Sequence, residues 1–324
     1  MYKTVSLFCG CGGADLGLLG GFIFNNQTYE KLPFNIVYAT DIDEKAILAY
    51  KKNFTGGNVV CADIKDLETS IIPACDVLVG GFPCQSFSTV NPTKNPFDDR
   101  AKLYKEMVRI AKDKQPQIII AENVKGFKTL YGGLIFNAVV SEFESVGYNV
   151  LSSMVNASDY GVPQKRERVI IVAVRKDLKG KFEFPQKTTE YDKIPLSVAV
   201  PKIDIDEKKY YFSERAVAGL KKAKNNMKRG LAQNLDEPCL TVTSHLAKTS
   251  LNSRDPVLLV DAEKELYRRF TPREAARIQS FPDTFKFADS EFDTYKQIGN
   301  AIPPVLFWYI AKSVSDFLAL QTKK

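Results

Sequence analysis

A cysteine follows directly on an apolar run in the segment GGFPCQSFST (residues 80–89). The preceding CDVLVG has the composition of a buried strand, and Cys84 stands between Pro83 and Gln85 just beyond it. A free thiol in such a place is most often inert core packing, but as a thiolate it is a nucleophile. Whether Cys84 is an inert core thiol or a nucleophile depends on the residues that the fold places beside it.

Charged side chains flank two other apolar runs. Glu122 follows IIIA in the segment ENV, and Arg166 and Arg168 stand where the run RVIIVAV begins. A carboxylate at the end of an apolar strand is costly to bury without a partner, so chemistry explains it better than packing does. His245 is the only histidine of the chain, which excludes a metal site built on several histidines and leaves a Ser-His-Asp triad only that residue. Any chemistry must then rest mainly on Cys, Asp, Glu, Arg and Lys.

The glycine-rich loop FCGCGGADLG (8–17) joins the first apolar run to the first helical segment. Small residues there let backbone N–H groups at a helix N-terminus approach a ligand. A dinucleotide fingerprint starting at Gly10 would need glycine where Asp15 stands, which disfavours NAD. Asp41 ends the next strand, where a carboxylate can bind ribose hydroxyls, and Asp63 ends the third, within reach of an adenine amino group. The alternatives are a structural turn for the glycines and helix caps for the acids.

The elements that must position these residues follow from the pattern of apolar runs between residues 4 and 174. Runs that are almost continuously apolar alternate with helical segments, which predicts an α/β fold with a doubly wound, Rossmann-like, mostly parallel sheet. Function is then expected at the carboxyl ends of the strands. The predicted strands are TVSLF, FNIVYATD, NVVCAD, CDVLVGG, QIIIAEN, YNVLSSMVN and RVIIVAV, and the predicted helices span residues 14–22, 44–54, 101–112 and 134–144.

The composition changes near residue 185, where Pro, Lys and Asp become frequent. A basic helical segment at 213–229 and short isolated strands follow, which predict a second, smaller domain. Segments 267–285 and 295–318 then return to a helix-rich pattern.

The 324 residues include 45 basic and 38 acidic side chains, giving a formal net charge of +7. This is compatible with a polyanionic partner but also suits many proteins that bind none. No apolar run approaches the length of a transmembrane helix, and the amino terminus lacks the unbroken apolar stretch of a signal peptide. We therefore expect a cytoplasmic protein without a membrane partner, whose six cysteines are free thiols.

Five motifs occur together, in a fixed order, between residues 6 and 314: FxGxGG, GGFPCQSFS, ENV, QKRERV and QIGNAIPP. In this set and order the chain resembles the cytosine-C5 DNA methyltransferases of bacterial restriction-modification systems. The resemblance implies the S-adenosylmethionine-dependent methyltransferase fold, with a smaller target-recognition domain. It also implies that Cys84 adds to C6 of a cytosine flipped out of the duplex, that Glu122 binds the N3 and amino edge, and that Arg168, with Arg166 in the same catalytic set, stabilises charge at O2. This suits the chemistry, because C5 of cytosine is a poor nucleophile until a thiolate has added to the ring.

The resemblance further implies a cofactor site that the C-terminal segment closes over the first strand. The catalytic domain is then discontinuous, residues 1–185 and 294–324, around a target-recognition domain and hinge at 186–293. The expected cofactor-binding residues are Phe8, Gly10, Gly12, Asp41, Ile42, Asp63, Ile64, Pro83, Asn300 and Ala301.

Duplex DNA is the implied partner, read by the small domain. The alternative for each charged residue expected to contact DNA is that it belongs to a basic surface that faces only solvent. The chain is also expected to be monomeric, with a restriction endonuclease acting separately. The expected DNA-binding residues are Gln85, Ser88, Arg100, Thr241, Val242, His245, Lys248 and Arg254.

Three positions depart from the family pattern: Asp41 replaces the usual Glu, Ala101 a common glycine, and Ser280 a usual glycine. Two alternatives stay open at this point. One is a tRNA cytosine-C5 methyltransferase of the same fold, although Cys239-Leu240-Thr241 matches its Cys-Phe-Thr element imperfectly. The other is a nucleic-acid-binding protein that has kept the fold without turnover.

Overall fold

A computed structural model of the protein describes residues 1–82, 103–222, 232–249 and 255–321. The strands of this part are β1 (Tyr2–Leu7), β2 (Phe22–Phe24), β3 (Gln27–Tyr29), β4 (Phe34–Asp41), β5 (Asn58–Cys61), β6 (Val77–Gly80), β7 (Ile118–Val124), β8 (Tyr148–Asn156), β9 (Gln164–Lys165), β10 (Glu167–Arg175), β11 (Cys239–Leu240), β12 (Leu258–Asp261) and β13 (Leu266–Arg268). Its α-helices are α1 (Gly13–Leu19), α2 (Glu44–Asn53), α3 (Tyr104–Lys114), α4 (Leu134–Ser145), α5 (Glu214–Lys222), α6 (Pro272–Ile278), α7 (Glu291–Asn300) and α8 (Pro304–Gln321). None of these helices is both long enough and apolar enough to cross a membrane.

A seven-stranded sheet in the order β5-β4-β1-β6-β7-β10-β8 organises the fold. The first five of these strands are parallel to one another. By contrast, β10 runs antiparallel to both β7 and β8. The predicted doubly wound, mostly parallel sheet is confirmed, with one reversed strand near its edge.

Continuous apolar strands arise because both faces of this sheet are covered. In β7, Ile118 and Ile120 pack into the core that also holds Trp308 of α8. Ile119 and Ala121 pack into the opposite core, with residues of α3 and α4. Because successive strand residues point to opposite faces, a strand buried on both sides needs an apolar residue at every position.

The C-terminal helix returns to the beginning of the chain. A side chain at Gly17 of α1 would overlap the carbonyl oxygen of Pro304 at the start of α8. The indole Nε1 of Trp308 donates a hydrogen bond of 2.8 Å to the carbonyl of Glu30. Segment 295–318 therefore packs against α1 and the stretch before β4, while its closure over the first strand and the domain boundaries remain predictions.

Two elements differ from the sequence expectation, and a third is described only in part. The helix predicted at 14–22 ends at Leu19, before two glycines that favour a helix C-terminus, and the chain then forms the hairpin of β2 and β3. The segment 267–285 contains strand β13 as well as α6, which begins at a capping box of Thr271 and Glu274. The basic helix predicted at 213–229 is seen as α5, and the rest of that segment lies outside the described residues.

Candidate active site

Glu122 and Arg168 form an ion pair at the end of the sheet. They lie on the antiparallel strands β7 and β10, where Arg168 is opposite Val124 and Glu122 is opposite Ile170. Alternate residues of a strand share a face, so the two side chains are diagonal neighbours on one face. The Arg168 Nε lies 2.9 Å from the Glu122 Oε1, and each side chain is only 13% exposed. The sheet register therefore brings together two of the residues predicted to act on the base.

Gly81 and Asn123 place the backbone that leads to Cys84. A Cβ on Gly81 would lie 3.3 Å from the Glu122 Oε2, so glycine leaves space beside that oxygen. The buried Asn123 amide donates to the carbonyl of Phe82 at 3.2 Å and accepts from the N–H of Val124 at 2.9 Å. Asn123 thus ties the end of β7 to the segment that follows β6. The sequence analysis missed both residues, although each lies inside a motif that it quoted.

The predicted nucleophile itself lies outside the described residues, and its role stays a prediction. The same holds for a set of neighbouring or DNA-facing candidates. They are Pro83, Cys84, Gln85, Ser88, Arg100 and Arg254.

The glycine loop after β1 has the backbone that a ligand cradle needs. Phe8 adopts a left-handed φ of 53°, which is rare for a side chain other than glycine. Gly12 has a φ of 96°, and a Cβ there would overlap the Phe54 ring. At Gly10 a Cβ would meet nothing within 4 Å, so open space lies beside this turn.

Asp41 stands next to this loop at the end of β4. Its Oδ2 accepts from the N–H of Gly10 at 2.8 Å and its Oδ1 accepts from the N–H of Asp43 at 2.9 Å. Burial raises the pKa of Asp41 above its ordinary value, and these two N–H groups oppose the rise. Each oxygen retains a lone pair for a further donor such as a ribose hydroxyl. The neighbouring Ile42 is 67% exposed, which leaves an apolar surface free for a flat ring.

The remaining predicted cofactor residues line up at neighbouring strand and helix ends. Asp63 accepts from the N–H of Lys65 at 3.0 Å, and Ile64 is buried behind it. Asn300 is the exposed last residue of α7, and Ala301 is its half-buried C-cap. The open turn, the acid with spare lone pairs and the exposed isoleucine fit a nucleoside-containing cofactor.

Arg166 occupies a different environment from Arg168. It is 3% exposed, and its guanidinium donates to the backbone carbonyls of Val242, Gly299 and Ala301. Its Nε has no hydrogen-bond partner within the described ranges. Burial lowers the pKa of Arg166 well below its ordinary value, and the charge of Arg168 lowers it further. Arg166 thus joins its own strand region to Val242 and to the end of α7 at 299–301. These contacts do not support its predicted direct role in catalysis.

The predicted DNA-binding residues of the small domain fall into two groups. His245 and Lys248 are exposed, and the hydroxyl of the half-buried Thr241 donates to the carbonyl of Lys165 at 2.9 Å. Val242 is 0% exposed and packs in a hydrophobic core with Leu246. A side chain without accessible surface cannot contact a base edge, so the prediction that Val242 binds DNA is at odds with this structure.

A groove of about 860 Å³ lies elsewhere, between the β2–β3 hairpin, the end of α2 and residues 281–286. None of the predicted site residues that the structure describes lines it. Since β2 and β3 precede the start of β4, this groove lies at the amino ends of the parallel strands, away from Glu122 and Arg168. It is not the candidate active site.

Comparison with known proteins agrees with this geometry. A family model described as C-5 cytosine-specific DNA methylase matches residues 2–316. The chain is 34% identical to the type II methyltransferase M.FnuDI of Fusobacterium nucleatum, over 99% of this chain and 96% of that protein. It is 33% identical to the type II methyltransferase M.NgoPII of Neisseria gonorrhoeae, over 98% of this chain and 96% of that protein.

Two solved structures share the fold. A DNA modification methyltransferase encoded within an E. coli prophage has a TM-score of 0.74 at 24% identity, covering 98% of this chain and 100% of that one. The S. pombe Dnmt2 methyltransferase has a TM-score of 0.75 at 21% identity, covering 99% and 100%. At these identities the likeness supports the fold alone. The match to the family model and to type II methyltransferases does not favour the tRNA alternative. The chain therefore belongs to the C-5 cytosine-specific DNA methylase family, which implies a methyltransferase that uses S-adenosylmethionine.

Proposed function

We propose that this protein methylates C5 of a cytosine within a specific sequence of duplex DNA, through a covalent bond between Cys84 and C6. The observation that carries the proposal is the Glu122–Arg168 pair, 2.9 Å apart and largely shielded from water at the end of the sheet. A carboxylate and a guanidinium side by side match the N3 and O2 atoms of a cytosine, which need a hydrogen-bonding acid and a cation when the ring is attacked.

The residues around Glu122 support this use of its carboxyl group. Arg168 engages Oε1, while the absence of a side chain at Gly81 keeps space beside Oε2. The carboxyl can then hold a proton at N3 of the base as negative charge develops on the ring. Asn123 holds the carbonyl of Phe82, two residues before Cys84, and so sets where the thiol segment leaves the sheet.

The Cys84 thiolate forms an S–C6 bond, the C5–C6 double bond opens, and C5 becomes nucleophilic. S-adenosylmethionine, when bound, would supply an electrophilic methyl group, whose bond to the sulfonium sulfur breaks so that S-adenosylhomocysteine is left as the product. After C5 has been methylated, its proton leaves to a base, the S–C6 bond breaks, and Cys84 departs as a thiolate.

The cofactor would be held at the glycine loop and the neighbouring strand ends. Asp41 is proposed for the ribose, Ile42 for the adenine face and Asp63 for the adenine edge. Supporting this, Asp41 is already fixed by two N–H groups and Ile42 is largely exposed. The remaining contacts are proposed for Phe8, Gly10, Gly12, Ile64, Asn300 and Ala301.

Target recognition is proposed for the small domain, through Thr241, His245 and Lys248. His245 and Lys248 are exposed and can therefore approach DNA. The target base itself must leave the duplex to reach Cys84. From the resemblance to bacterial restriction-modification enzymes, we also propose that methylation protects cytoplasmic DNA from a separate restriction endonuclease and that the enzyme acts as a monomer.

Trapping on DNA that contains 5-fluorocytosine tests the mechanism, because fluorine at C5 cannot leave as a proton does. Base-resolution 5-methylcytosine sequencing of plasmid DNA from an expressing host first gives the target sequence. A target duplex carrying the analogue, with S-adenosylmethionine, should then form a denaturation-resistant complex with the wild type and with Cys75→Ala. Cys75 is a partly buried thiol at the opposite end of β6 and serves as the matched control. Methyl transfer by Cys84→Ala, or no trapped complex with the wild type, would overturn the covalent mechanism.

A further inference from the structure

Three buried polar side chains meet where the chain's separate segments join. They are Gln164 of β9, Arg166 beside it and Gln279 after α6, with exposures of 0%, 3% and 0%. We call this set the buried clamp. It touches two segments with different proposed roles: the recognition segment 241–244, and the turn at 300–301 beside the cofactor site.

Gln164 attaches the recognition segment. Its Oε1 accepts from the N–H of Val242 at 3.0 Å. Its Nε2 donates to the Oε1 of Gln279 at 2.5 Å and to the carbonyl of Ile278 at 3.2 Å. Both ends of this amide are engaged, so Gln164 links the backbone of Val242 directly to the side chain of Gln279.

Gln279 and Arg166 together complete the C-terminus of α7. The Gln279 Nε2 donates to the carbonyls of Ile298 at 2.8 Å and Ala301 at 2.9 Å. An Arg166 Nη donates to the carbonyls of Gly299 at 3.1 Å and Ala301 at 3.0 Å. The last carbonyls of a helix lack partners within the helix and carry partial negative charge, so a buried guanidinium is stabilised there without a carboxylate.

The recognition segment and α7 also touch directly. The other Nη of Arg166 donates to the carbonyl of Val242 at 3.2 Å. A Cβ on Gly299 would overlap the backbone of Thr243 and Ser244. The end of α7 and the recognition segment therefore have no room to shift independently of each other.

We propose that Gln164, Arg166 and Gln279 are positioning residues that couple occupation of the cofactor site beside Ala301 to the placement of the recognition segment 241–244. The inference rests on the proposed function for the roles of those two segments. Each clamp residue is buried, so it acts through backbone that it holds rather than by touching either ligand. A network in which every amide is engaged permits one arrangement of the segments, which an apolar contact would not specify.

The coupling can be tested without DNA by measuring amide hydrogen exchange of the protein in the presence and absence of S-adenosylhomocysteine. Binding of that product should slow exchange at residues 242–244 of the wild type about tenfold. Gln279→Met, which keeps the side chain's size but donates no hydrogen bond, should reduce that slowing to less than twofold. Gln297→Met is the matched control: Gln297 is a buried glutamine of α7 whose amide bonds to Lys45 and Ala288, outside the clamp.

A second measurement uses the target duplex. S-adenosylhomocysteine should tighten DNA binding by the wild type about tenfold, within the usual range of such coupling, and DNA should tighten product binding equally. In Gln164→Met and Gln279→Met, the factor by which each ligand tightens binding of the other should fall close to one. In Gln297→Met both factors should stay near the wild-type value. Unchanged exchange at 242–244 in wild-type protein saturated with product would overturn the coupling, and this requires no variant to fold. Coupling factors that persist in both clamp variants would overturn it as well.

The two proposals fail in different ways. If 5-fluorocytosine DNA is not trapped, the covalent mechanism is wrong, and the exchange result still stands by itself. If trapping succeeds while exchange at 242–244 ignores the product, only the coupling is wrong.

Discussion

Asp15 allows a sharp test of how burial shapes the cofactor loop. It lies in the first turn of α1, is 0% exposed, and neither carboxylate oxygen has a hydrogen-bond partner of ordinary geometry among the described residues. Burial raises the pKa of Asp15 from 3.8 to about 6, and the nearby hydroxyls of Ser6 and Tyr50 oppose this only in part. The ionised form is therefore much less favourable in the folded protein than in the unfolded chain.

The sign of the pH dependence follows from proton binding. Between pH 4 and pH 6 the folded protein holds a proton on Asp15 that the unfolded chain has released, so stability falls as pH rises through this window. A shift of about two units corresponds to a loss on the order of 3 kcal/mol, complete above the folded pKa. Asp15→Asn resembles the protonated acid at every pH. Its stability relative to the wild type should therefore improve by about 2 kcal/mol between pH 4.5 and pH 7.5, because roughly a third of the loss is already present at pH 4.5. A constant packing penalty from the amide would not alter this difference.

Urea unfolding at pH 4.5, 5.5, 6.5 and 7.5 measures this difference. Asp43→Asn is the control: burial would raise the pKa of Asp43, but Lys296 and the backbone N–H groups of Ala46 and Lys45 lower it below 3.8. The Asp43 carboxyl is ionised in both the folded protein and the unfolded chain across this pH range. The difference in unfolding free energy between Asp43→Asn and the wild type should therefore stay constant. If the unfolding free energies of the wild type and Asp15→Asn change in parallel with pH, then burial does not raise the pKa of Asp15 and the reasoning is refuted.

Further predictions concern the active site. Glu122→Gln should lower the single-turnover methylation rate by about 100-fold or more, since an amide cannot hold a proton at N3 as a carboxyl does; equal rates would contradict that role. Asn123→Ala should reduce the free energy of unfolding by roughly 1–3 kcal/mol, because the carbonyl of Phe82 loses its donor, and it should also lower the yield of trapped DNA. Ile42→Ala should weaken S-adenosylhomocysteine binding in calorimetry by about fivefold, for a loss of roughly 1 kcal/mol of apolar contact. Stability should be unchanged because Ile42 is 67% exposed, and unaltered affinity would remove Ile42 from the cofactor site.

The pattern of apolar runs was sufficient to predict the sheet because its inner strands, such as β6 and β7, are buried on both faces. The runs at 34–41 and 148–156 coincide with β4 and β8 at both ends. The hairpin of β2 and β3 was missed, since the helix was predicted to continue to Phe22, whereas it ends at Leu19 before Gly20 and Gly21. The order of the strands and the reversal of β10 depend on contacts between distant segments, which no local pattern contains.

The sequence by itself determined the family, the expected nucleophile Cys84, and the charged residues that end or begin the apolar strands, because these are matters of residue type and order. Only the tertiary structure decided what those charges do. Antiparallel register pairs Arg168 with Glu122, while Arg166, two residues earlier, is buried against the carbonyls of Val242, Gly299 and Ala301. The physical reason is that a charge at a strand end must find a partner from another segment, and which segment lies within hydrogen-bond distance is decided only when the chain has folded.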